Sequence, residues 1–159
     1  MNKLIETLIK EKLTLITIES FTGGGLAHHF IKNTGASRWF KQGFVLYQAE
    51  AKAQYLGMPL EALNKIDPVS EALVKKLLVK ALEINPRTIS IVTTGNAGPN
   101  VQGQQKVGDF YIGISDGKHE HIQFGHAKGS RIQIQQSGVK MAVKMLSEFL
   151  STYYLMSPK

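Results

Sequence analysis

No cysteine occurs among the 159 residues. That excludes a disulfide framework, a thiolate zinc site and a cysteine nucleophile, and leaves oxygen nucleophiles for any hydrolytic chemistry. Also missing is any stretch near the ~20 apolar residues of a membrane span, so no membrane partner is expected. The opening Met1-Asn2-Lys3 leads into a helical pattern charged at Glu6, Lys10, Glu11 and Lys12 rather than into a signal peptide, which predicts a soluble cytoplasmic protein. Acidic residues are the scarcer sign, 12 Asp+Glu against 19 Lys+Arg, and the formal charge of +7 suits an anionic partner. Lys75, Lys76, Lys80, Lys140 and Lys144 are dispersed, without a basic block or aromatics interleaved with arginine, so a solvated basic face is expected rather than nucleic-acid binding. A hydrophobic content of 43% suffices for a sizeable core. No repeat, low-complexity tract or linker divides the chain, and residues 1–159 read as one domain whose tail frays after Tyr154.

The apolar spacing then sets the elements. Leu4, Ile5, Leu8 and Ile9 mark a helix over residues 2–12, and Leu13 to Ile18 is a buried strand. Thr22 is expected to cap a helix running to Lys32, and Trp39 to Tyr47 has strand composition broken by Gly43. Helices follow over Ala49–Leu56, closed by Gly57 and Pro59, and over Val69–Glu83, capped by Ser70 or Asp67, with Leu73, Leu77, Leu78 and Leu82 on the buried face. Thr88 to Thr93 is a second buried strand, and Phe110–Ser115 with His119–Phe124 forms a hairpin around Asp116-Gly117-Lys118. A last helix spans about Ser130 to Leu150. The predicted architecture is a three-layer α/β/α sandwich with a mixed central sheet.

Ser20-Phe21-Thr22-Gly23-Gly24-Gly25 lies where the first strand meets a helix, the end of an α/β sheet at which ligands collect. Three glycines there let a ligand approach the backbone, and Ser20 is presented beside amide donors able to hold an oxyanion; the alternative is a serine serving only as a cap. The stretch is neither a GxGxxG nor a P-loop. Histidine is the usual base for a serine, yet His28 and His29 diverge on a helix, and no matching carboxylate makes a metal site of His119, His121 and His126. The other route is Lys52, a base once desolvation frees its amine, with Tyr47 relaying a proton or orienting that amine; an exposed lysine and a core tyrosine explain the same letters.

Further motifs follow in order. They are Glu19-Ser20-Phe21-Thr22-Gly23-Gly24, Thr34-Gly35-Ala36-Ser37-Arg38-Trp39-Phe40 with Gly43 and Tyr47, Ala51-Lys52, Leu56-Gly57 and Val69-Ser70. Thr94-Gly95, Ala97-Gly98-Pro99, Val107-Gly108 and Gly129-Ser130-Arg131 complete the set. Over nearly the whole chain this resembles the C-terminal domain of the CinA (competence/damage-inducible) family, whose stand-alone members act as nicotinamide mononucleotide (NMN) deamidases. The resemblance implies an amidohydrolase converting NMN and water to nicotinate mononucleotide and ammonia, with no cofactor and no metal. It assigns Ser20 as nucleophile, Lys52 as base and Tyr47 as the assisting tyrosine. Thr22, Gly23, Gly24, Thr94, Gly95, Ala97, Gly98 and Arg131 become the substrate-binding set, for a small anionic nucleotide. It further implies a homodimer or higher homo-oligomer.

The chain departs from the family pattern at Asn96, usually Ile, in the segment Asn100 to Lys106, usually glycine-rich, and at Gln135, near where a second arginine is usual. Those changes bear on the substrate more than on the reaction. Larger members add an N-terminal nucleotide-hydrolysing domain that this length does not accommodate, so its activities are not carried over. Two readings of other classes compete: a non-catalytic nucleotide-binding or interaction module, and a nucleic-acid accessory protein.

Overall fold

The computed structural model describes residues 2–155. A five-stranded sheet of order β2-β1-β3-β4-β5 is built from β1 (Thr14–Glu19), β2 (Phe40–Val45), β3 (Thr88–Gly95), β4 (Asp109–Ser115) and β5 (Glu120–His126). β1 runs parallel to β2 and β3, whereas β4 and β5 add antiparallel, so the sheet is mixed as expected. The two central strands β1 and β3 are covered on both faces, which is why their sequences are mostly apolar and β-branched.

Helices complete the layers. On one face α1 (Asn2–Lys10), α2 (Gly25–Ile31) and α6 (Arg131–Leu150) press Leu8, Phe30, Leu146 and Phe149 onto Leu15, Ile89 and Ile91. On the other, α3 (Ala49–Leu56), α4 (Leu60–Leu63) and α5 (Glu71–Ile84) press Ala53, Leu63, Leu73 and Leu77 onto Ile16, Ile18 and Val92. Leu15 and Ile16 thus serve opposite cores, as the two-residue period of a strand requires. Burying each such Leu or Ile contributes roughly 1.5–3 kcal/mol. Ser70 caps α5 by accepting from the Leu73 amide, and Ser130 opens α6 in a capping box with Gln133.

Three local expectations change, and one element was missed. Thr22 does not cap α2: the residue before the helix is Gly24, which has no side chain to cap with, and the Thr22 hydroxyl is drawn inward to Glu19. Gly43 does not break β2 but sits within it, where a Cβ would lie 2.9 Å from both Ala27 Cβ and Thr17 Oγ1, so glycine there lets α2 settle on the sheet. Leu82 is only half-buried, and the single turn α4 went unforeseen because four residues carry no readable period. The expected fraying beyond Tyr154 falls mainly on residues 156–159, outside the described residues; Ser151–Leu155 form a π turn after α6.

Candidate active site

β1 ends on a carboxylate. Glu19 is fully buried, and its Oε2 accepts from Thr22 Oγ1 at 2.7 Å, from the Leu26 amide at 3.0 Å and from the Gly24 amide at 3.1 Å. Its Oε1 accepts from the Ala27 amide at 2.8 Å and from Thr17 Oγ1 at 3.3 Å. Five donors and the positive end of α2 offset the cost of burying this acid, which caps the helix from beneath. The chain between Glu19 and α2 must therefore fold back over its own side chain, and Gly23 and Gly24 take φ of 61° and 90° to do so. Ser20 is held at the crest: its amide donates to the Thr93 carbonyl at 3.1 Å and its carbonyl accepts from the Gly23 amide. Sequence reasoning missed this role of Glu19; the signal was an acid closing an otherwise apolar strand, ahead of a helix start with no capping side chain of its own.

A cavity of about 240 Å³ lies over Ser20, bordered by Tyr47, Gly95, Ala97, Gly98 and Arg131. An adjoining cavity of about 370 Å³ takes in Lys52 among Ala49, Leu63, Pro68 and Leu73, and Gln102 borders both. Six of the expected site residues therefore meet around one cavity, while Lys52 opens on its neighbour. Thr22, Gly23, Gly24 and Thr94 border neither. Thr22 bonds Glu19 and lies 2.8 Å from Thr93 Oγ1, and the buried Thr94 donates to the Pro68 carbonyl, so both threonines tie the turns behind the cavities. Gly23 and Gly24 serve the backbone turn.

Lys52 is 3% exposed, and among the described residues its amine has no hydrogen-bond or ion-pair partner. Burial holds its pKa below the ordinary lysine value. Tyr47 follows β2 and is more than half exposed, with its hydroxyl accepting from Arg131 Nη2 at 2.9 Å. Arg131 Nη1 donates to the Gly98 carbonyl, so the guanidinium at the start of α6 spans the cavity mouth. Tyr47 is thus engaged with Arg131 rather than with the Lys52 amine. Gln135, the departure on α6, donates to the Phe21 carbonyl at 2.9 Å and braces the Ser20 turn. The amides of Phe21, Ala97 and Gly98, all bordering the cavity, donate to no acceptor among the described residues.

The histidines lie elsewhere. His119 bonds Asp116, His121 bonds Tyr153 and His126 bonds Asp109, and among the described residues no group of three His, Asp or Glu is placed to hold a metal ion. No helix among them is long and apolar enough to cross a membrane.

The model of the CinA C-terminal domain matches residues 1–150. The chain belongs to the CinA C-terminal domain family. It is 33% identical over 142 residues to a putative competence-damage inducible protein of Bacillus subtilis, covering 89% of this chain and 34% of that protein. A like-named protein of Clostridium beijerinckii is 36% identical over 144 residues, covering 90% and 35%. The chain therefore spans about a third of the length of these curated relatives. A crystal structure of a CinA superfamily protein from Klebsiella pneumoniae superposes with a TM-score of 0.84 at 26% identity, covering 95% of both chains. A competence/damage inducible protein from Agrobacterium tumefaciens does so at 0.80 and 26%, covering 92% of this chain and 93% of that one. The cavity over Ser20 is bordered by residues at or following the ends of β1, β2 and β3 and by Arg131 at the start of α6.

Proposed function

We propose that this CinA-family chain is a cytoplasmic, metal-independent serine/lysine amidohydrolase that converts NMN and water to nicotinate mononucleotide and ammonia. One observation carries the reading: a buried lysine amine without a partner, its pKa lowered, borders a cavity that adjoins the one over Ser20. In the alternation of β1, Ser20 also has the parity of Ile16 and Ile18, the face that α3 and its Lys52 cover. Neutral Lys52 accepts the Ser20 proton as Oγ bonds the carboxamide carbon, and the free amides of Phe21, Ala97 and Gly98 are the available donors for the oxyanion. Collapse of the tetrahedral adduct breaks the C–N bond, Lys52 returns its proton to the departing ammonia, and water then hydrolyses the acyl-serine to the carboxylate by the same exchange. Arg131 is the cation at the mouth for the phosphate.

The test is ammonia release from NMN by the purified protein, with nicotinamide riboside and NAD as parallel substrates and Ser20→Ala as control. Release that needs Ser20 supports the reading, and release unaffected by Ser20→Ala removes the nucleophile. That Ser20 and Lys52 open on different cavities favours a second reading, a non-catalytic nucleotide-binding module. Calorimetric binding of NMN with no ammonia formed would decide for it.

A further inference from the structure

Asn96 follows β3 and is 3% exposed. Its Nδ2 donates to the carbonyls of Gln102 at 2.9 Å and Gln105 at 3.2 Å, while its Oδ1 accepts from the Gln102 amide at 2.9 Å. Both donors and one acceptor position of the side chain are thus committed to the segment 100–105. Asp67 holds the same segment from outside. Its Oδ2 accepts from the Gln104 amide at 3.0 Å, and a Cβ on Gly103 would fall 1.9 Å from its Oδ1. Gly103, at φ 66°, is the residue that lets the backbone lie so close. The segment has no helix or strand of its own, so these two side chains do for it what a ladder does elsewhere. Gln102, gripped at both its amide and its carbonyl, is the residue common to the Ser20 and Lys52 cavities.

We propose that segment 100–105, clamped by Asn96 and Asp67, is a gate between the Ser20 and Lys52 cavities that is closed in this structure and must be displaced for the two groups to meet. The gate rests on the serine/lysine reading for its purpose but not for its existence. A closed gate keeps the amine away from the hydroxyl until a substrate in the Ser20 cavity displaces Gln102, and the competent arrangement is then a minor state whose scarcity lowers the apparent affinity of the substrate. Asn96 acts through the segment, as a positioning residue.

The experiment compares the parent with Asn96→Ala and Asp67→Ala, the second a partly exposed position that keeps the test alive should the buried substitution impair folding. The first readout is the rate at which formaldehyde and a borane reductant methylate the Lys52 amine, followed by peptide mass spectrometry, with exposed Lys75 as internal reference. Both folded variants should be labelled at Lys52 roughly tenfold faster than the parent, as expected when a local opening becomes more populated, with Lys75 unchanged. The second readout is kcat/KM for NMN, which should rise through a lower KM as the closed state is lost. Lys52 labelling at the parental rate in every variant that folds overturns the gate. Faster labelling with lower kcat/KM also overturns it, since the clamped arrangement would then be the working one. Faster labelling while no protein, parent included, releases ammonia upholds the gate and removes the amidohydrolase reading instead.

Discussion

Arg131 donates to the Tyr47 hydroxyl at 2.9 Å across 84 positions of sequence, and its other terminal nitrogen donates to the Gly98 carbonyl. One guanidinium therefore ties the segment after β2, the turn after β3 and the start of α6 around the cavity mouth. Lysine has no fork with which to hold both partners. Arg131→Lys is expected to raise KM for NMN by about 10-fold or more, the scale of a lost charged hydrogen bond, with a smaller change in kcat. Tyr47→Phe should move KM in the same direction, since in this structure its hydroxyl serves Arg131. A fall of about 100-fold in kcat at constant KM for Tyr47→Phe would instead make that hydroxyl part of the proton transfer.

Glu19→Gln keeps the shape of the side chain but turns one acceptor oxygen into a donor facing amides or hydroxyls that already donate. The expected loss is ~3 kcal/mol of unfolding free energy, at the upper end for an unsatisfied buried group. Activity should fall with it, because the Ser20 crest is folded over this carboxylate. Urea unfolding measures the first; a variant as stable as the parent would show that the five contacts are incidental.

The strands were legible because β1 and β3 are buried on both faces and spell this out in Thr14–Glu19 and Thr88–Gly95. The cap at Ser70, read with Asp67 as its alternative, was legible because it acts within one helical turn, whereas Ser130 was read only as the start of α6 and not as the capping box it forms with Gln133. Ser20 stood out through the glycines beside it. What stayed hidden depends on distance in sequence. Glu19 reads locally as a strand-ending acid, and only the folded turn brings the Gly24, Leu26 and Ala27 amides onto it. Asn96 showed as an unusual letter, but its hold on Gln102 and Gln105 is a property of the closed loop. Gly43 read as a breaker because a glycine demanded by the close packing of Ala27 looks the same in sequence as one demanded by a turn.

The far end of the sheet carries an acid-sensitive contact. Asp116 Oδ2 accepts from the Tyr154 hydroxyl at 2.7 Å and from His119 Nδ1 at 3.0 Å, and its Oδ1 accepts from the amides of Lys118 and His119. Burial pushes this carboxyl up, but the bonds from Tyr154, His119 and the two amides outweigh it and hold the pKa at about 2. Because the folded value lies below the unfolded ~3.9, the contact contributes stability above that pH and loses it as pH falls toward the folded value. Asp116→Asn should flatten the decline in stability between about pH 4 and pH 2, by ~2 kcal/mol at most after allowance for partial exposure. An unchanged acid limb in denaturant titrations would place the sensitivity elsewhere.

Lys52 separates function from stability. A buried amine with no partner is costly to charge, and burial lowers its folded pKa, so the unfolded chain binds the proton more readily and stability rises with pH between the folded and unfolded values. Lys52→Met keeps the length of the side chain and removes that cost, and should raise unfolding free energy by ~0.5–2 kcal/mol at neutral pH while abolishing the pH-dependent rise. The same variant should lose at least ~100-fold in turnover, the low end for a general base. Lys52→Arg distinguishes the base from a fixed positive charge, since arginine stays protonated throughout this range. It should be nearly as inactive as Lys52→Met, and parental turnover should climb with pH as the amine loses its proton. If Lys52→Arg kept substantial activity with an unchanged pH profile, another group would be taking the proton from Ser20.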